Sequence, residues 1–104
     1  MPSMVFTYSP KPGISPEKFE QFLREVDQPA TLGLPAAISS RILRVQTDGA
    51  PFAYVEVLEV TSFEEWDRDS KRPEVADVMA KWADYGDLAN AKAYKCVQVY
   101  AGKK

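Results

Sequence analysis

The chain has 104 residues, 45% hydrophobic and 27% charged, with a net charge of −2. That is the profile of one soluble globular domain with a modest core, and with no Lys/Arg cluster it argues against binding nucleic acid by phosphate neutralisation. There is no histidine and only one cysteine, Cys96, which excludes His-based triads, His-ligated haem, His-rich iron triads and an internal disulfide, and leaves too few ligands for structural zinc.

Met4–Tyr8 is short, β-branched and aromatic, and stops at Ser9-Pro10, so it reads as a first strand. Lys11-Pro12-Gly13 is a turn. Ser15-Pro16-Glu17 is a helix start, with a Ser cap, Pro at the first helical position and an acid in the first turn. Ile14 and Phe19 are spaced as a hydrophobic staple around it. Phe19, Phe22, Leu23 and Val26 then recur on one helical face. Pro29 is expected to end this helix, because the residue before a proline is pushed out of the helical region.

Thr31–Pro35 is a loop. Ala37–Gln46 is a second strand with Ile38, Ser40, Ile42 and Arg44 on one side and Ser39, Arg41, Leu43 and Val45 on the other. Asp48-Gly49 with Ala50-Pro51 connects it by a hairpin to a third strand, Phe52–Val60, so these two pair antiparallel. A second helix begins near Ser62, where both Ser62/Glu65 and Thr61/Glu64 match a capping box. The charged run Asp67–Arg72, a solvated break, and then Pro73 interrupt it. Its second piece carries Val75, Val78, Met79 and Trp82 on one face, with Gly86 after its end. Ala93–Ala101 is a fourth strand, and Gly102-Lys103-Lys104 a frayed tail.

The order is β-α-β-β-α-β over a single domain, residues 1–104. It predicts an α+β, ferredoxin-like fold: a four-stranded antiparallel sheet with both helices on one face. Met4, Phe6 and Tyr8 alternate with Val5 and Thr7, and Tyr54, Leu58 and Val60 with Val55 and Val57, so both sheet faces are apolar and both need cover. Helices cover one. A second copy in a two-fold dimer covers the other.

No apolar run approaches the roughly 20 residues of a membrane span. The N-terminus lacks signal-peptide regions, and there is no Gly-rich phosphate loop or dinucleotide fingerprint. The expectation is a cytoplasmic homodimer with no bound cofactor or metal and no nucleic-acid or membrane partner.

This pattern resembles the dimeric α/β-barrel superfamily, in which two ferredoxin-like protomers pack sheet against sheet. More narrowly, Tyr54–Val60, then Ser62-Phe63-Glu64-Glu65-Trp66, then Val75-Ala76-Asp77 to Asp84, is similar to the RedY/HapK-like branch. That branch is associated with prodigiosin-type and bisindole pigment pathways. The resemblance implies a small cofactor-independent enzyme, a cyclase or isomerase, or an accessory protein, acting on a reactive aromatic or heteroaromatic intermediate of secondary metabolism. It leaves two alternatives: a non-catalytic binder or chaperone of such an intermediate, and a cofactor-free monooxygenase of an aromatic polyketide.

Among candidate site residues, Glu56 and Glu59 lie in a strongly apolar strand on opposite faces. A desolvated carboxylate has a raised pKa and can move protons near neutral pH. The competing reading pairs each with Arg41 or Arg44 of the neighbouring strand. Glu56, between Tyr54 and Leu58, is the better candidate. As a site, Glu56 and Tyr54 are the expected catalytic pair. Tyr8 orients substrate alongside Tyr54, Arg41 supplies a cation for a carboxylate, and Trp66 and Trp82 form a pocket wall between sheet and second helix. Asp84 or Tyr85 is a proton-transfer group at the pocket mouth, Tyr85 counting also as a ligand contact. The competing and more ordinary account of these aromatics and acids is core packing, the dimer interface or a solvated helix end. The same holds for Tyr94, Cys96, Gln98 and Tyr100, which share one face of the last strand, and Cys96 reads as an inert buried residue. An ionised, Arg-paired Glu56 favours the binder.

Overall fold

In the computed structural model, which describes residues 1–104, the strands are β1 (Pro2–Tyr8), β2 (Ala37–Arg44), β3 (Tyr54–Val60) and β4 (Lys92–Val97). They form one antiparallel sheet in the order β2-β3-β1-β4. The helical segments are α1 (Pro16–Phe22), a π-helical turn Leu23–Asp27, α2 (Gln28–Leu32), α3 (Phe63–Asp69), α4 (Pro73–Trp82) and a short 3-10 turn Leu88–Asn90. This is a ferredoxin-like α+β fold.

Register places Tyr8 opposite Tyr54, Phe6 opposite Glu56 and Met4 opposite Leu58. These residues share the face that packs on the helices. Tyr8 and Tyr54 join Phe19, Phe22, Leu23 and Trp82 in one core cluster, while Met4, Leu58 and Val60 form a second against Phe63 and Trp66. The opposite face carries Val5 beside Val57 and Tyr94, and Val55 beside Leu43. Leu43 and Tyr94 are half exposed there.

The starts of α1 and α3 follow their caps. Ser15 Oγ accepts from the Lys18 amide and Ser62 Oγ from the Glu65 amide. Ser62, not Thr61, is therefore the second cap. Gly49 takes a φ of 76° in the β2–β3 connection, the left-handed conformation that favours glycine.

Several boundaries differ from expectation. The first helix does not end at Pro29. The Gln28 amide reaches back to Leu23 O, a five-residue π turn. That wider turn relieves the clash a proline ring makes with the preceding turn, and α2 continues to Leu32. β4 stops at Val97 rather than Ala101 because its last ladder partner is Pro2 of β1. Tyr100 is consequently exposed. The break between α3 and α4 is not wholly solvated. Asp69 is buried and accepts from the Ala36 amide at 2.8 Å and Arg72 Nε at 3.1 Å. It ties the break to the start of β2. Burial pushes its carboxyl up, but those donors outweigh it and hold the pKa down. Cys96 is only half buried, on the open sheet face. Gly86 does not take a left-handed φ. A Cβ there would fall within the Trp82 ring, so the position is glycine to make room.

Candidate functional site

The helix-facing side of the sheet does not close completely on α3 and α4. Between them lies a cavity of about 510 Å³. Phe6, Tyr8 and Glu56 form its floor, Trp66, Val78, Met79 and Trp82 its helical wall, and Asp27 with Leu34 one end. Strand alternation sends Glu56 inward with Tyr54 and Leu58. The helix supplies Asp27 by a less regular route. In an unbroken α-helix Val26 would follow Phe19 and Phe22 inward. The π turn adds one residue, and Asp27 becomes the buried position while Val26 is only half buried.

Glu56 is 5% exposed. Its Oε1 accepts from the Tyr8 hydroxyl at 2.7 Å, and its Oε2 from Gln28 Nε2 at 3.3 Å and Ser40 Oγ at 3.4 Å. Burial, then the nearby Asp27 charge, pushes the Glu56 carboxyl above the usual range, partly offset by these donors. Burial also raises Asp27, against the Gln28 amide, which donates to its Oδ2 at 2.8 Å, and the Trp82 indole. The Tyr8 hydroxyl is pushed up by burial and by Glu56, and stays a donor.

No arginine bonds Glu56. The residue opposite it on β2 is Ile42, whereas Arg44 lies opposite Tyr54. Arg44 reaches Glu20 of α1 instead, with two hydrogen bonds of 2.7 and 2.6 Å. Those bonds, and one of 2.6 Å from the Tyr54 hydroxyl, pull Glu20 down to about 2. Tyr54 is pushed up to about 12 by burial and by Glu20.

The fold thus brings Tyr8, Glu56, Trp66 and Trp82 to one cavity. It directs the Tyr54 hydroxyl away, into the Glu20–Arg44 cluster. Arg41 sits opposite Val57 on the other sheet face. Tyr85 stacks on Phe22 at 4.5 Å, outside the cavity lining. Glu59 lies on the open face beside Ser39. Sequence reasoning missed Asp27, Gln28 and Ser40. Asp27 carried only a partial signal: it falls four residues after Leu23, at the edge of the apolar stripe whose centre α-helical spacing gives to Val26. Nowhere do three or more acidic or cysteine side chains converge as a metal site would require, and no helix is long and apolar enough to cross a membrane.

Fold and cavity together define a small ferredoxin-like α+β protein with uncompensated carboxyl groups under an aromatic wall. The chain matches the family model described as REDY-like protein HapK over residues 2–98. It belongs to that family. The crystal structure of HapK from Hahella chejuensis superposes with a TM-score of 0.77 at 20% identity, covering 99% of this chain and 100% of that one. SnoaB from Streptomyces nogalater, described as a cofactor-independent oxygenase, gives 0.77 at 12% identity, covering 96% and 94%. A protein from Thermobifida fusca described as dimeric, ferredoxin-like and of unknown function gives 0.68 at 14%, covering 93% and 90%. Comparison with curated proteins finds no match.

Proposed function

We propose that this chain is a small cofactor-independent enzyme that moves a proton on a flat aromatic or heteroaromatic intermediate of secondary metabolism. Glu56 is the proton-transfer group, Tyr8 a hydrogen-bond donor that orients the ligand, and Trp66 and Trp82 its aromatic walls. The observation that carries this reading is the Glu56 carboxyl, buried at a cavity floor and bonded to no cation. Buried carboxylates that serve structure alone are normally paired. The binder reading expects an Arg-paired Glu56, and Arg44 is engaged by Glu20 instead. Family membership supports the substrate class.

The two tryptophans of the chain both line the cavity, so binding is read by their emission. Titration with indole or naphthol is expected to give saturable quenching. Quenching that rises linearly, as for free tryptophan, overturns the cavity as a ligand site. Oxygen uptake with an electron-rich phenol would instead favour the monooxygenase.

The working unit in this proposal is a cytoplasmic homodimer joined through the open sheet face, where Val5, Val55, Val57, Leu43 and Tyr94 need cover. Sedimentation at micromolar concentration is expected to show a dimer. A monomer there overturns the paired-sheet arrangement.

A further inference from the structure

Asp27 and Glu56 come from distant parts of the chain, yet one side-chain amide serves both. Gln28 Nε2 lies 2.8 Å from Asp27 Oδ2 and 3.3 Å from Glu56 Oε2. An amide nitrogen carries two hydrogens, so it makes both bonds at once. Two carboxylates around one nitrogen repel strongly when both are ionised. Neither gains a cation: Arg44, Arg68, Arg72 and Lys95 are paired with Glu20, Glu65, Asp69 and Asp67. Tyr8 from β1 and Ser40 from β2 also face Glu56, and Trp82 from α4 faces Asp27. The other charged groups lining the cavity, Arg72, Glu74 and Lys92, bond to neither carboxyl.

We propose that Asp27 and Glu56 act as one acid–base pair holding a single proton, with Gln28 as the positioning residue that keeps both carboxyl groups on one amide. The proposal rests on the cavity being the site of proton transfer. Such a pair offers a base and an acid together. The ionised member takes a proton from one ligand atom and leaves that bond's electron pair on the ligand. The protonated member gives its proton to a second, conjugated atom, where the electron pair ends. The pair keeps one proton, now on the other member, and no oxidant or reductant is needed. The reaction class is a prototropic isomerisation. Its ligands are flat molecules whose acidic C–H or N–H is conjugated to a carbonyl or imine.

The test is an infrared and carbon NMR titration of the side-chain carboxyl groups in the full-length, ligand-free protein. In the wild type, two separate steps are expected for the pair, one of them at a pH where exposed carboxyls are already ionised. Asp27→Asn is expected to move the Glu56 step to lower pH, because the neighbouring charge is gone. Gln28→Ala, with its far-ultraviolet circular dichroism unchanged, is expected to move the pair's steps to higher pH. If both carboxyls ionise together in the ordinary range, or if Asp27→Asn leaves the Glu56 step in place, the pair is overturned. The wild-type titration needs no variant to fold. Because no ligand is added, failure of the pair is distinguished from failure of the cavity reading, which the quenching titration tests alone.

Discussion

Glu56→Gln is expected to lower turnover by about 10²–10⁴-fold, the usual contribution of a positioned general acid or base. It is also expected to change how stability depends on pH. Burial raises the Glu56 pKa in the folded chain, so the folded state holds this proton to higher pH than the unfolded state does. The slope of stability against pH is therefore negative for this group. Its contribution is full below the ordinary carboxylate pKa and is lost as pH rises through the raised one. Glu20 and Asp69 act the other way, since both are held low. Their contributions are present above the ordinary carboxylate pKa and are lost as pH falls. Glutamine has nearly the volume of glutamate, and its amide oxygen still accepts from Tyr8. The variant should thus keep the acid-side loss and show a shallower decline on the alkaline side, with the remaining decline due to Asp27. Calorimetry from about pH 2 to about pH 9 spans both limbs. A profile identical to wild type, or unchanged turnover, would sink the assignment of Glu56.

Trp82→Ala is expected to destabilise the protein by about 3–5 kcal/mol, the range for large aromatic truncations in a core. The indole is 5% exposed. Its ring packs edge-on to Tyr8 at 5.2 Å and to Phe19 at 5.7 Å. Removing it opens the cavity into that cluster and takes the indole away from Asp27. Domains of this size have about 5–15 kcal/mol in total, so the loss is a large fraction. In melting temperature it corresponds to a fall of roughly 12–40 °C. Urea unfolding followed through Trp66 emission measures it directly. A loss under about 1 kcal/mol would mean that the wall collapses to fill the space.

Strand alternation, the Ser15 cap and the Asp48-Gly49 turn are local signals, and each lies where it was read; the second cap was narrowed only to Thr61 or Ser62, and the structure selects Ser62. Glu56 was legible for the same reason: period-two alternation alone puts it inward among Tyr54, Leu58 and Val60. Its partners were not. Whether Arg44 meets Glu56 depends on cross-strand register, and that register sets Ile42 opposite Glu56 and Arg44 opposite Tyr54. The nearer claim on Arg44 came from Glu20, on an element 24 residues away in sequence. Pro29 misled because proline is a strong local stop signal. The π turn that carries the chain past it also turns Asp27 into the cavity, and no residue in Leu23–Asp27 announces such a turn. Tyr54 was right as a buried strand residue and misplaced as a cavity residue, because the direction of its hydroxyl is settled by α1 rather than by β3.

The Trp82–Gly86 contact bears on how this sequence can vary. Position 86 has no room for a methyl group while an indole stands at 82. The two positions therefore share one volume across a helical turn, and neither substitution is independent of the other. A chain of this fold with a side chain at 86 needs a smaller ring at 82, which widens the cavity. Substituting this pair together is thus a route to altering ligand size that leaves Glu56 and its donors in place, while Asp27 loses the indole.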